Sequence, residues 1–411
     1  MRRHSSSALP LVALVGVGVL FLTGGALPAS ASEPGKVTVV EGATTHVELM
    51  NIAGDVMYLS ASHAPGEPTT LWMFDGSTFV ELAGSPTEIH SLESLGNEVF
   101  LVAEGDVFEG GELWSFDGST FTLHAEVANA HDPVPAGDLG LAFAGDATDP
   151  SKESLYSIKD GVVTPLGEPL SYIRPVGFAG GRVYGYGYDD VASGLFVVDA
   201  TNAVRAVPGV SGPVAGVSEA DGVVYASVGR SLYRINVDAT GGELVIRTAG
   251  PMGGVVEFGD VTYFAAAGDS ETRLYTLDAT GWTLVDAVPS DLFSLTVVDK
   301  LMYVGFLSTG AGVFDGTNFT SFDLNASYVS AFHHLGNKLY FAALTNTGAG
   351  PGYFDPNRTL YAYEIPPEFV AESPALAATG ADASAPLALA ALLLLAGGAA
   401  VGIRRRSRAE V

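Results

Sequence analysis

An all-β, eight-bladed propeller of four-stranded antiparallel blades is the architecture this sequence predicts, and three observations predict it. The first is a recurring hairpin. Residues 112–124 read ELWSFDGSTFTLH, an apolar run, an Asp-Gly turn and a second run that opens on an aromatic, which is the local pattern of two strands joined by a tight turn. Versions of it begin at Leu71, Leu155, Leu195, Leu232, Leu274 and Val313, and a shortened LYAYEI follows at Leu360. The second observation is a Gly-Asp-like turn leading into an apolar strand ahead of each hairpin. Its reference positions are Tyr58, Phe100, Leu141, Tyr184, Tyr225, Tyr263, Tyr303 and Tyr340, spaced by 37 to 43 residues. That spacing is close to the roughly 40–45 residues of a four-stranded propeller blade.

The third observation is a strand at each end that lacks a partner. KVTVVE at 36–41 resembles the post-turn strand of the other units, and the last unit lacks that strand because Pro366-Pro367 interrupts the chain where it would begin. The N-terminal strand is therefore predicted to complete the last blade, closing the ring and leaving no open array edge. The hairpin strands support stacked sheets, since LWMF and LFVV are apolar at every position, as expected when both faces are covered. Phe79, Phe121, Trp282 and Phe319 recur four places after the turn Asp and are read as interblade packing.

Composition narrows the classes of function. The chain of 411 residues carries 46 acidic and 19 basic side chains, a net charge of −27; without the two ends the balance is 44 to 13. Such a surface repels nucleic acid, and no nucleic-acid partner is predicted. Cysteine is absent, so disulfides and thiolate metal sites are excluded. No metal site and no cofactor are predicted. Asp75, Asp117, Asp160 and Asp315, each followed by Gly, are read as hairpin chemistry, with calcium as the alternative reading of the same residues.

The ends read as targeting segments. Residues 1–31 carry Arg2-Arg3, an apolar run over 9–22 and the small-residue sequence Ala29-Ser30-Ala31, the organisation of a secretory signal peptide with a helical core. The propeller is assigned to 32–365 and a short linker to 366–375, which reaches about 35 Å when extended. At the C-terminus, Leu376-Ala377-Ala378-Thr379-Gly380 is followed by an apolar run over 386–403, of a length to span a bilayer as a helix, and by Arg404-Arg405-Arg406-Ser407-Arg408. The basic cluster orients the tail toward the cytoplasm. These residues resemble the cell-wall sorting signal of Gram-positive surface proteins, in the LAxTG variant of the LPxTG motif found in high-GC species. The resemblance implies cleavage by a sortase between Thr379 and Gly380 and transfer of Thr379 to a peptidoglycan or other cell-wall amine. The expected location is extracellular and wall-anchored, by way of a membrane-spanning precursor.

The repeat ELWSFDGSTF also resembles the ELWxxDG repeats of bacterial surface propellers. The function expected is a binding or adhesion module for carbohydrate or protein at the envelope, with ligand contacts on the loops 64–70, 105–111, 146–154, 186–193 and 345–356, because variable loops on a rigid scaffold carry binding. The alternative is a surface hydrolase or lyase acting on a sugar polymer or lactone. Its candidate groups in the central channel are His46 and Glu48, His90 and Glu93, and His333 and His334, which ring closure brings onto adjacent blades. No catalytic residue is assigned: H-E-x-x-H, a G-x-S-x-G elbow, a P-loop and a dinucleotide fingerprint are all absent from the sequence.

Overall fold

The computed structural model describes residues 35–367 except 43–45, 65–66, 107–109, 147–151, 190–192, 200–201, 269–270, 279–280, 309 and 346–357. The segments expected to act as signal peptide and sorting signal lie outside the described residues. Strand β1 (Val37–Val39) precedes blade 1, which holds β2 (His46–Ala53), β3 (Val56–Ser62), β4 (Thr70–Phe74) and β5 (Phe79–Glu81). Blade 2 holds β6 (Ser91–Leu95), β7 (Glu98–Asp106), β8 (Gly110–Phe116) and β9 (Phe121–Leu123), and blade 3 holds β10 (His131–Pro135), β11 (Leu141–Asp146), β12 (Glu153–Lys159) and β13 (Val162–Leu170). Blade 4 consists of β14 (Tyr172–Ala179), β15 (Arg182–Tyr188), β16 (Ser193–Val198) and β17 (Val204–Ser211); blade 5 of β18 (Val214–Ala220), β19 (Val223–Val228), β20 (Ser231–Ile235) and β21 (Gly242–Arg247). Blade 6 follows with β22 (Met252–Phe258), β23 (Val261–Ala267), β24 (Thr272–Asp278) and β25 (Gly281–Leu284), and blade 7 with β26 (Leu292–Val298), β27 (Leu301–Phe306), β28 (Ala311–Phe314) and β29 (Phe319–Ser321). In blade 8 the inner position is shared by β30 (Ala326–Ser327) and β31 (His333–Leu335), followed by β32 (Lys338–Thr345) and β33 (Arg358–Glu364).

Within every blade the strands pair antiparallel in chain order, so each sheet is a meander from an inner to an outer strand. The inner strands pack against one another in sequence from blade 8 through blades 1 to 7, and Ser294 and Thr296 of β26 bond to the backbone of Val329, Ser330 and Phe332 to join blade 7 to blade 8. Blade 8 alone borrows its fourth strand. β1 pairs antiparallel with β33 in the register Val37↔Tyr363, Thr38↔Ala362 and Val39↔Tyr361, and the pairing is extended by Gly35 N–H to the Glu364 carbonyl at 2.9 Å and Val40 N–H to Leu360 at 3.1 Å. The expected closure is thus the observed one, and the last sheet is saturated by the first strand.

The core is distributed as eight wedges, one between each pair of neighbouring blades. Between blades 1 and 2, for example, Tyr58 and Leu71 meet Leu92, Leu101 and Phe116; between blades 8 and 1, Leu360 and Tyr340 meet Met57, Leu59 and Phe74. The alternation of side chains along a strand sends Met57 and Leu59 to one neighbour and Tyr58 to the other, which is why the middle strands read as continuous apolar runs. Three of the four recurrent aromatics after the turns, Phe79, Phe121 and Phe319, pack against interblade clusters as expected, and each also meets a ring of its own blade. Phe79 stacks on Phe74 at 4.3 Å, Phe121 on Phe116 at 4.5 Å, and Phe319 meets Phe306 edge-on at 5.6 Å. Trp282 differs: it packs edge-on against Tyr275 but remains 50 % exposed.

Three of the four Asp-Gly turns are closed by their own aspartates, while the fourth is a two-residue turn with Asp160 at φ +51° and Gly161 at φ +73°. One oxygen of Asp117 accepts the Ser119 hydroxyl and the N–H groups of Ser119 and Thr120, all at 2.8 Å. Asp75 repeats the arrangement with Ser77 and Thr78, and Asp315 accepts the N–H groups of Thr317 and Asn318. These bonds hold the Asp117 carboxyl below its usual range, the Ser119 hydroxyl contributing most. Polar side chains also tie neighbouring blades. Glu219 accepts the Gly180 N–H and Glu257 the Asp221 N–H, each at 2.7 Å, so an acid on one inner strand caps the turn of the preceding blade.

Two outcomes follow. Deleting residues 35–41 removes the fourth strand of blade 8 and uncovers Tyr361 and Tyr363; the melting temperature, followed by circular dichroism, is expected to fall by about 5 °C or more, with loss of monodispersity. The Tyr303 hydroxyl is buried without a hydrogen-bond partner, and burial raises its pKa. Tyr303→Phe is therefore expected to stabilise the fold by about 1 kcal/mol in denaturant titration, whereas Tyr303→Ala costs about 3–5 kcal/mol.

Candidate functional site

The inner strands carry the six channel candidates, and the ladder registers place them. Asn51 pairs with Tyr58, Glu93 with Phe100 and His333 with Tyr340, the equivalent aromatics of blades 1, 2 and 8. Asn51, Glu93 and His333 therefore stand at one level of the ring. His46 lies five residues earlier on its strand and His90 three residues before Glu93, toward the opposite end, where the β3–β4 and β7–β8 loops emerge. His334 is one place beyond His333 and directed to the other sheet face. Glu48 sits at a β-bulge, between the pairs Val47↔Ala61 and Leu49↔Ser60, and is exposed; bulges re-aim side chains in this way. The ring thus brings together Glu93 and Asn51, and separates the histidines into two levels.

Local bonding gives each group a defined environment. Asn51 donates to Glu93 Oε2 at 3.1 Å and to the Leu92 carbonyl at 3.3 Å, while Ser94 Oγ donates to Asn51 Oδ1 at 2.9 Å. Burial pushes the Glu93 carboxyl up, against the lowering effect of the Asn51 amide. His90 donates from Nε2 to the Gly105 carbonyl at 2.6 Å, fixing its tautomer and pinning the β7–β8 loop. His46 is buried. His333 has its pKa lowered to about 4 by burial alone, and Nε2 of His334 is buried without a hydrogen-bond partner. Among the described residues no group of three or more His, Asp or Glu side chains is arranged to hold a metal ion.

A cavity of about 470 Å³ opens at the loop-bearing end between blades 2 and 3. One wall is the β7–β8 hairpin with Glu104, Gly105, Gly110 and Glu112; the other is the connection from β9 to β10, with Leu123, Val127 and Asn129. Gly111 and Ala130 exchange both backbone hydrogen bonds, at 3.1 and 2.8 Å, which clamps the two walls together at the base. The approach demands glycine. A Cβ on Gly110, whose φ is +88°, would lie 2.4 Å from His131 and 2.6 Å from the Asn129 carbonyl, and one on Gly105 would lie 2.1 Å from the Gly110 carbonyl. Of the loops expected to carry binding, 105–111 borders this cavity. The second wall was not anticipated from the sequence, where residues 124–130 read only as a join between an outer and an inner strand. A further cavity of about 440 Å³ lies between blades 4 and 5 at the opposite end, lined by Arg182, Val224, Arg234 and Asn236.

The fold and its registers define the class: a closed eight-bladed β-propeller. No protein-family model matches the chain, and no curated protein matches it. Solved structures do. Sqt1 of Saccharomyces cerevisiae is similar with a TM-score of 0.54 and 14 % identity over 82 % of this chain and 100 % of that one. A prolyl endopeptidase is similar at 0.50 and 11 % identity over 74 % of this chain and 55 % of its own, so this chain spans about half the length of that enzyme. BamB of Moraxella catarrhalis aligns over 80 % of this chain and 98 % of its own, with 12 % identity and a TM-score of 0.48. Likeness at such identities concerns the fold, and sites graft onto a fold independently of it.

His333 gives the inner ring a pH dependence. Its folded pKa of about 4 lies below the unfolded value near 6.5, so the unfolded chain binds the extra proton and stability falls as pH drops. The contribution is complete above pH 6.5 and is lost progressively down to about pH 4, amounting to about 3 kcal/mol. Urea titrations at pH 7, 5.5 and 4 should show this slope, and His333→Gln should flatten it.

Proposed function

We propose that the protein is a surface binding or adhesion propeller, exported by its first 31 residues and held at the cell wall through Thr379. The observation that carries the anchoring is the ordered series Leu376-Ala377-Ala378-Thr379-Gly380, apolar run over 386–403 and arginine cluster. The three parts divide the work between them, with an extended motif for the processing enzyme, a hydrophobic stop of about bilayer length and a cytoplasmic charge lock. In this reading the chain is the sortase's substrate, and Thr379 ends in an amide to a wall amine. The ten residues 366–375 keep the ring within about 35 Å of the attachment point.

Binding is supported by the loop-bearing end, where a cavity is walled by two backbone segments locked by reciprocal hydrogen bonds. A site preorganised in this way loses little entropy on taking a ligand. The six inner-strand groups point the same way where their bonds are defined, since His90 and Glu93 serve as fasteners for a loop and for a neighbouring blade. Burial raises the Glu93 pKa, the direction that suits a general acid, and this supports the rival reading, a hydrolase or lyase of wall polymers.

Two experiments test these readings. In the parent cells the protein should be released by peptidoglycan digestion and resist detergent, whereas Thr379→Ala protein should become detergent-extractable with its arginine tail intact; detergent release of the unaltered protein defeats the anchoring. Incubation with wall polysaccharide should give saturable retention without product. Product that appears with the unaltered protein and is lost in Glu93→Gln transfers the assignment to the enzyme.

A further inference from the structure

This inference rests on the binding-module reading and gives it a site. At the loop-bearing end of blade 4, Tyr172 opens β14 and pairs across the ladder with Tyr188, the last residue of β15, while Arg174 pairs with Tyr186. Side chains two apart on a strand share a face, so three phenol rings and one guanidinium stand together. Tyr172 and Tyr188 are stacked, with centroids 5.1 Å apart and planes 10° apart, and Tyr186 meets Tyr172 edge-on at 6.0 Å. Tyr188 is 43 % exposed, and it falls within the range 186–193 that the sequence marks as a binding loop, of which 186–188 belong to β15.

The guanidinium is held but not saturated. Its Cζ lies 5.2 Å from the centre of the Tyr172 ring, Nε donates to the Tyr172 hydroxyl at 3.3 Å, and one terminal nitrogen faces Glu153 Oε1 at 3.8 Å. The other terminal nitrogen is buried with no hydrogen-bond partner. A buried donor left unmade is costly, and the acceptor that best satisfies a guanidinium is a carboxylate. Burial lowers the Arg174 pKa to about 10, so an incoming anion would relieve a penalty already present.

The distribution of charge agrees with an anionic ligand here. Residues 37–151 hold nineteen acidic side chains and no lysine or arginine, whereas 172–247 holds six arginines against seven acids. Arg182, Arg205 and Arg234 lie toward the opposite end, and Arg174, Arg230 and Arg247 are the positive groups that an anion meets at the loop-bearing end of blades 4 and 5. We infer that the tyrosine face of blade 4 binds an acidic saccharide, a uronic-acid unit whose pyranose ring stacks on Tyr188 and whose carboxylate engages Arg174. The unpartnered nitrogen is screened from solvent, so engagement requires a tyrosine ring to turn aside, and binding is accompanied by rearrangement of the ring stack.

The test is calorimetric titration of the intact protein with trigalacturonate and with neutral galactotriose. Saturable binding of the acidic trimer is expected, with the neutral trimer at least tenfold weaker. Tyr188→Ala, at an exposed position, should weaken the acidic trimer tenfold or more without changing the melting temperature, and Arg174→Gln should erase the preference for the acid. Failure of the acidic trimer to bind, equal affinity for both trimers, or an unchanged affinity in Tyr188→Ala overturns the site. Retention on wall polysaccharide that Tyr188→Ala leaves untouched also overturns it, while the binding-module reading stands; loss of all retention by the unaltered protein removes that reading itself.

Discussion

No blade of this protein has a core of its own. Every apolar face of a middle strand is covered by the next blade, and the buried side chains accordingly fall into eight clusters that each straddle two sheets. A four-stranded meander alone would leave both faces in water. The ring must therefore close, and because it closes, a three-residue strand such as β1 has consequences far larger than its length. It completes the hydrogen bonding of β33 and covers part of the wedge between blades 7 and 8, where Val37 packs against the cluster containing Tyr361 and Tyr363.

The same constraint explains where the polar groups of the inner strands went. Inner strands converge, and their backbone turns approach the neighbouring blade closely enough to need partners. Glu219, Glu257, Ser294 and Thr296 each bond to a backbone group of an adjacent blade, and Asn51 bridges to both the backbone and the side chain of blade 2. An acid or amide on an inner strand is thus first a fastener between sheets. Catalytic or ligand-binding use of such a position has to compete with that role.

Much of the architecture was legible because it is periodic. The turn-strand signature at Tyr58 recurs to Tyr340 with little drift, and the orphan run 36–41 had one vacancy to fill. Less legible were the places where a blade departs from the repeat. Blade 3 replaces the tight inner turn by a short 3₁₀ segment, Gly137–Leu139, and blade 8 splits its inner strand around Tyr328, a bulky residue held at φ +52°. The six inner-strand candidates do reside on adjacent blades, yet their heights depend on ladder registers and bulges, which composition does not encode. The cavity between blades 2 and 3 depends on glycines at 105, 110 and 111 meeting Ala128–His131 across the chain, a tertiary approach that no local pattern announces. Tyr172, Arg174, Tyr186 and Tyr188 alternate visibly in sequence, but only pairing of β14 with β15 puts them on one face.

The position of β33 has a mechanical corollary. It is flanked on one side by β32 and on the other by β1, so it is laddered along both edges. Traction applied to the chain just past Ile365 would run along the strand axis and have to shear two antiparallel ladders at once, a mode in which many bonds share the load, instead of peeling one edge bond by bond. The seam where β1 meets β33 is in this respect suited to bear tension.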